Sequence, residues 1–188
     1  MFKVGDKVVY PMHGAGRIKK IEERAILDEI QSYYIIEMPG EVKVMVPTDK
    51  AENIGVRSII DEETAGKVIS VLEQKNTEMS DKWNKRYRDN VEKMKSGDIF
   101  EVADIVRNLT FKQKDNKGLS TTEKKMLLNA KQILVSELVL VENKEKEEIE
   151  TLVDNKLNAS YELYGIGNID GNTEDVISDK TVKKFIQA

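Results

Sequence analysis

The first sixty residues carry short runs of β-branched and aromatic side chains that glycine and proline separate. In residues 42–46, valines at alternate positions enclose Lys43 and Met45, which is the period of a strand with one buried face. Pro39-Gly40 supplies a tight turn before this run. Five short strands in so short a span predict a small five-stranded β-barrel of the Tudor-like or SH3-like kind. The predicted strands cover residues 2–10, 17–25, 31–38, 42–46 and 55–60.

After residue 60 the spacing of the apolar residues changes to that of amphipathic helices. Polar residues suited to cap a helix precede each apolar stripe, and Ser120 with Glu123 forms a capping box. A charged stretch, roughly residues 145–159, predicts a further helix. The pattern therefore favours an α+β protein in which a compact, all-helical domain follows the β-barrel. The predicted helix starts are at Asp61, Ser80, Asp98 and Ser120.

The change of period sets the predicted domain boundary. Residues 1–60 are expected to form the β-domain, and residues 61–159 the helical domain. The apolar pattern of residues 160–188 is interrupted by Gly165, Gly167 and Gly171 and favours no more than a short terminal helix.

Composition narrows the chemistry that the chain can perform. The sequence contains no cysteine, which excludes disulfides and thiolate zinc sites. Its one histidine, His13, lies in a glycine-rich turn with no nucleophile motif beside it. No apolar run is long enough to span a membrane and no signal peptide is visible, so we expect a cytoplasmic protein. We expect no catalytic residues, no metal and no cofactor.

Charge is distributed unevenly, although the net charge is only −4. Residues 82–131 hold 13 basic and 7 acidic side chains, whereas residues 1–81 and 132–188 are both net acidic. A basic segment between acidic ones is typical of a surface that binds a polyanion such as nucleic acid.

The only tryptophan, Trp83, lies in the most basic part of that segment. On a helix, Tyr87 shares its face, one turn away. Two interpretations are open from the residues alone. Trp83 either belongs to the core of the helical domain, or is an exposed aromatic side chain among cations that can stack on or wedge beside a base. The neighbouring basic residues are Lys82, Lys85, Arg86 and Arg88.

A second basic pair, Lys124 and Lys125, stands at the start of the helix that the capping box opens. Because backbone N–H groups at a helix N-terminus attract phosphate, this end can hold a DNA strand. The alternative is an ordinary capped helix with exposed lysines.

Several separated motifs resemble the CarD family of bacterial transcription regulators, which includes the CdnL-type proteins. They occur in the family's order over roughly residues 1–155. The motifs read FKVGDKVVYPMHG at residues 2–14, VP at 46–47, AENIGVR at 51–57, WNKRY at 83–87, KSGD at 95–98, GLS at 118–120 and EKKML at 123–127.

The resemblance implies a Tudor-like domain that binds the β subunit of RNA polymerase, with an edge strand in the contact. It also implies a helical domain that meets double-stranded promoter DNA at the upstream edge of the melted −10 region. In the family a tryptophan wedges into the minor groove there and helps to hold the transcription bubble open, and Trp83 is the matching residue. The basic positions that face DNA match Lys85, Arg86, Arg88, Lys124 and Lys125.

The polymerase contact departs from the family pattern in part. Arg24 matches a basic residue at that contact, but a second position that holds arginine in some members is Met45 here. The loop around Pro39-Gly40 also looks one residue shorter. Lys43 can supply the charge that Met45 lacks.

The resemblance thus implies a regulator without enzymatic activity that acts as a monomer on the nucleoid and stabilises the open complex. A protein-protein adaptor, which binds polymerase or another partner without functional DNA contact, is the alternative. A hydrolase is the more remote one, because the sequence holds no phosphate loop and no metal cluster.

Overall fold

The computed structural model describes residues 1–26, 29–115 and 118–165. Over these residues, an antiparallel five-stranded sheet is followed by five α-helices, which confirms the α+β class with a Tudor-like β domain before a helical domain. The strands are β1 (Lys7–Tyr10), β2 (Gly14–Ile26), β3 (Glu29–Glu37), β4 (Lys43–Pro47) and β5 (Arg57–Ser58). The helices are α1 (Glu62–Leu72), α2 (Trp83–Ser96), α3 (Ile99–Lys114), α4 (Thr121–Glu142) and α5 (Lys146–Tyr164).

The strands are ordered β4-β3-β2-β1-β5, so β4 and β5 form the two edges of the sheet. The first strand is shorter than predicted and begins only at Lys7. The residues before it form a turn, because Gly5 has a φ of +94° and the Lys3 N–H donates to the Asp6 side chain at 2.8 Å. One face of the sheet is buried in a core of its own. The core residues include Val8, Ile18, Tyr34, Ile36 and Val46.

Most of the predicted helix starts are confirmed. The Asp61 and Asp98 side chains accept from N–H groups of the helices that follow, and Ser120 and Glu123 cap each other reciprocally. The start predicted at Ser80 is wrong. The helix α2 begins at Trp83, after Lys82, whose side chain caps no N–H group.

The helical domain buries the stripes that the sequence predicts on α3 and α4. The last helix continues to Tyr164, past the predicted end near residue 159. The terminal helix predicted within residues 174–188 lies outside the described residues. Within those residues, no helix combines the length and the apolar content needed to cross a membrane.

The two domains meet where α4 crosses the sheet. The Ala15 N–H donates to the buried Ser136 Oγ at 2.8 Å, and the Lys7 Nζ donates to the Leu140 carbonyl at 2.6 Å. Gly14 is required at this contact, because its φ is +97° and a Cβ there would lie 2.6 Å from the Ser136 Oγ. Polar bonds and close backbone packing therefore join the sheet to α4.

Candidate nucleic-acid and polymerase interfaces

Trp83 is exposed at the first residue of α2, with 55% of its surface accessible. The interpretation that it is a core residue is therefore wrong. Its helical face is the one that buries Met94 and half-buries Tyr87 and Val91, as the stripe predicts. Side chains tilt toward the N-terminus of a helix, so a side chain on the first residue projects past the neighbours that would cover it. Lys82, Asn84, Lys85 and Arg88 are exposed around it.

Arg86 has a different environment from the other predicted DNA contacts. It is only 5% exposed, and its Nε donates to the Glu123 Oε1 at 2.7 Å. A second guanidinium nitrogen lies 2.6 Å from the same carboxylate oxygen. The expectation that Arg86 faces DNA is thus not met in this structure, because the buried carboxylate of the capping box requires a cation beside it.

Glu123 engages both of its carboxylate oxygens within the protein. While Oε1 receives Arg86, Oε2 accepts from the Ser120 N–H at 3.0 Å and from its hydroxyl at 2.9 Å. Burial by itself raises the pKa of Glu123, but the hydrogen bonds from Ser120 and Arg86 outweigh burial and hold that pKa below its ordinary value. The carboxylate therefore stays ionised and stays paired.

Lys124 and Lys125 directly follow Glu123, and both side chains are exposed. The capping box occupies two of the four backbone N–H groups at this helix end, and the lysine ammonium groups add positive charge that can bind a phosphate. The Arg86–Glu123 pair connects α2, which carries Trp83, to α4, which carries the two lysines. The exposed basic residues around Trp83 and the two lysines on α4 are therefore linked through one buried ion pair.

The three residues predicted to contact polymerase lie on one face of the sheet. Side chains at alternate positions of a strand share a face, and the β3 partners of the three residues are all at odd positions. Arg24 is exposed and ion-paired with Glu22, while Lys43 and Met45 are exposed on β4. The β3 partners are Gln31 for Arg24, Glu37 for Lys43 and Ile35 for Met45.

Lys43 and Met45 also lie on an edge strand, since β4 pairs with β3 on one side and no other strand in the described parts of the chain pairs with it. The hydrogen bonds at the two ends of the β3–β4 pairing show which β4 residues bond to β3. These residues are Val44 and Val46, so the N–H and C=O groups of Lys43 and Met45 point away from β3. Such groups can pair with another chain. The flanking bonds run from Met38 N to Val42 O at 2.8 Å and from Thr48 N to Ser32 O at 3.0 Å.

The fold and these surfaces define a two-domain α+β protein, with an open strand edge on one domain and an exposed tryptophan among basic residues on the other. Residues 2–60 match the family model described as CarD-like/TRCF RID domain, and residues 67–154 match the model described as CarD, C-terminal domain. A Bacillus subtilis (strain 168) protein described as "Putative transcription factor YdeB" is 38% identical over 152 residues, which are 80% of this chain and 99% of that protein. The chain belongs to the CarD family of transcription factors.

Proposed function

We propose that this protein stabilises the open promoter complex by binding the β subunit of RNA polymerase and the DNA at the upstream edge of the bubble. Membership of the CarD family implies regulation of transcription in association with RNA polymerase. The observation that carries the proposal is the exposed Trp83 at the start of α2, flanked by exposed Lys85 and Arg88. An aromatic side chain that is not needed by the core is free to wedge at an unstacked base step, while the cations hold phosphates.

The outer edge of β4 supports the polymerase half of the proposal. The outward N–H and C=O groups of Lys43 and Met45 suit pairing with an extended segment of a partner, and Arg24 adds charge on the same sheet face. In this assignment residues 1–60 bind polymerase and residues 61–159 bind double-stranded DNA near the −10 region. The protein acts as a monomer in the cytoplasm, on the nucleoid and away from the membrane, and performs no catalysis.

The mechanism is a shift of an equilibrium. A regulator favours the open complex only by the difference between its affinities for the open and the closed complex. A wedge contact made only with melted DNA, worth about 1.4 kcal/mol, changes the ratio of the two complexes about tenfold. Because phosphate contacts carry no sequence information, polymerase directs the protein to promoters, and DNA binding by the protein alone is weak and sensitive to salt.

The test is the lifetime of the open complex on a promoter fragment with purified bacterial RNA polymerase. We expect the protein to lengthen the lifetime, and Trp83→Ala to lose most of that effect while it stays folded. Phe100→Ala is a matched control, because Phe100 is an exposed aromatic residue of the same domain, on α3 rather than α2. If the wild type binds polymerase and leaves the lifetime unchanged, the protein is an adaptor without functional DNA contact.

A further inference from the structure

The segment that leads into α2 is held by side-chain bonds from α2 itself and from α3. The Lys82 side chain caps no N–H group of α2. Instead, a guanidinium nitrogen of Arg86 donates to the carbonyls of Ser80 at 2.5 Å and Asp81 at 3.3 Å. The same guanidinium binds Glu123 on α4. One side chain thus connects the segment before α2, α2 itself and the start of α4.

A second pair of residues fixes the same segment from α3. The Thr77 N–H donates to the buried Asn108 Oδ1 at 2.9 Å, and the Asn108 Nδ2 donates to the Thr77 hydroxyl at 2.7 Å. Directional bonds of this kind specify one geometry more sharply than apolar packing does. The position of Trp83, the first residue of α2 after this segment, therefore depends on polar contacts.

The free-energy cost of burying the Arg86–Glu123 pair also indicates that the pair specifies geometry rather than adding stability. A buried ion pair contributes little net stability over well-packed apolar side chains, because both charges must be removed from water. Near DNA, an unpaired Glu123 would also repel phosphate. The pair removes that repulsion and leaves Lys124 and Lys125 as the charges at the start of α4.

We infer that Arg86 and Glu123 are positioning residues, whose buried pair fixes the start of α2 against the start of α4 so that Trp83 and the lysines 124 and 125 engage the same stretch of DNA. Arg86 acts through Trp83 and the lysines and makes no DNA contact of its own. This inference rests on the proposed DNA-binding function. It gives Arg86, which the sequence predicted to face DNA, a positioning role instead.

Arg86→Lys separates positioning from direct contact. Lysine keeps the charge but lacks the planar fork that binds Glu123 and the Ser80 carbonyl together. A direct phosphate contact would survive this substitution, so open-complex lifetime would stay near that of wild type. Positioning predicts that Arg86→Lys loses most of the lifetime gain, as Trp83→Ala does.

Glu123→Gln also distinguishes direct DNA contact from positioning, because the two roles predict effects of opposite sign. If Arg86 contacts DNA directly, removal of a nearby negative charge strengthens DNA binding. If the pair positions Trp83, the substitution shortens the open-complex lifetime, and the double variant Arg86→Lys/Glu123→Gln is no worse than the more severe single one. Asp154→Asn is the matched control, since it removes a carboxylate from another α4 contact, the exposed Lys131–Asp154 pair.

Trp83 fluorescence tests positioning in the free protein, without polymerase or DNA. Because the chain has a single tryptophan, its time-resolved anisotropy reports motion at the start of α2 alone. We expect a larger amplitude of fast local motion in Arg86→Lys and Glu123→Gln than in wild type and Asp154→Asn, with far-UV circular dichroism unchanged. Unchanged anisotropy in both folded variants overturns the inference. If the wild-type protein leaves the open-complex lifetime unchanged, that result contradicts the proposed function instead, whatever the anisotropy shows.

Discussion

Arg57 on β5 and Glu137 on α4 form an ion pair with two parallel bonds across the joint between the domains, at 2.7 and 2.9 Å. Glu137 is fully buried and also accepts from the Ile60 N–H at 3.0 Å, while Arg57 donates to the Gly97 carbonyl. The pair therefore ties the last strand to α4 and to the turn between α2 and α3.

Removal of Glu137 should strongly destabilise the protein. Glu137→Ala leaves the partly buried Arg57 guanidinium and the Ile60 N–H without their partner, which costs about 3–5 kcal/mol of unfolding free energy. Urea unfolding followed by circular dichroism measures the change. Glu63→Ala is the control, because Glu63 forms an exposed pair with Lys67 and should change stability by less than about 1 kcal/mol. Equal effects of both substitutions would show that the pair across the joint adds no stability.

Two glycine substitutions should change stability in opposite directions. Gly14→Ala forces an alanine into a left-handed conformation and against the Ser136 hydroxyl, which should cost about 1–3 kcal/mol. Gly66→Ala lies in α1, where a Cβ meets nothing within 4 Å, and should stabilise by about 0.5–1 kcal/mol. Thermal unfolding of both variants checks the signs. Destabilisation by Gly66→Ala would contradict the described position of α1.

The stability of the protein should depend on Glu123 in the acid range. Its pKa in the folded protein lies below the ordinary value of 4.5, because the hydrogen bonds from Ser120 and Arg86 outweigh the opposing effect of burial. At pH values between the folded pKa and the ordinary value, the unfolded chain binds more protons at this residue than the folded chain does. The stabilisation is therefore present above that value and is lost as pH falls through the folded pKa. Unfolding free energy measured against pH should fall less steeply in Glu123→Gln, and parallel curves would exclude this linkage.

Salt dependence should identify the lysines that bind phosphate. Lys124→Ala/Lys125→Ala should lower the slope of log affinity against log salt by about 0.9 for each phosphate that the variant no longer neutralises. The control pair is Lys144→Ala/Lys146→Ala, which removes exposed lysines beyond the other end of α4. Fluorescence anisotropy of a labelled promoter fragment measures both slopes. Equal slopes in the two double variants would place the DNA elsewhere.

Polymerase binding should depend on the outward N–H group of Met45. Met45→Pro removes that group at a position where β3 receives no bond from it, and proline is tolerated at strand edges. We expect weaker binding to a fragment of the β subunit with the sheet retained. Val44→Pro is the contrasting variant, since it removes an inward bond to β3 and should destabilise the sheet itself. Full binding by folded Met45→Pro would exclude strand pairing at this position.

Much of the fold follows from local patterns in the sequence. The alternating valines locate β4, an imperfect alternation and a β-branched and aromatic run locate β2 and β3, and the capping box locates α4, because these signals act over a few residues. The start of α2 was predicted wrongly, because the segment before it is held by the Arg86 guanidinium bound to backbone carbonyls, an arrangement without a capping pattern in the sequence. The Ser80 hydroxyl resembles a cap in sequence, whereas in the structure the Ser80 carbonyl takes part.

The site could be predicted only in its exposed part. Basic residues near an aromatic side chain indicate a nucleic-acid surface wherever they lie, so Lys85, Arg88, Lys124 and Lys125, all exposed, could be proposed as DNA contacts from composition and resemblance. Whether a given arginine faces solvent depends on contacts between distant segments. Arg86 and Glu123 are 37 residues apart, and no periodicity connects them. The only local hint was the glutamate of the capping box, whose second oxygen needs a partner.

The joint at Gly14 and Ser136 bears on the proposed contacts with polymerase and DNA. A flexible tether between two binding modules tolerates a range of separations and sets only an effective concentration. Here hydrogen bonds and close packing hold the sheet against α4, so the distance from the edge of β4 to Trp83 is fixed by the fold. A protein of this kind holds its two candidate binding surfaces at a set separation. Under the proposed function, both surfaces would be engaged only where polymerase and the DNA fork lie at the matching separation, so the protein would respond to the geometry of the complex rather than to a DNA sequence.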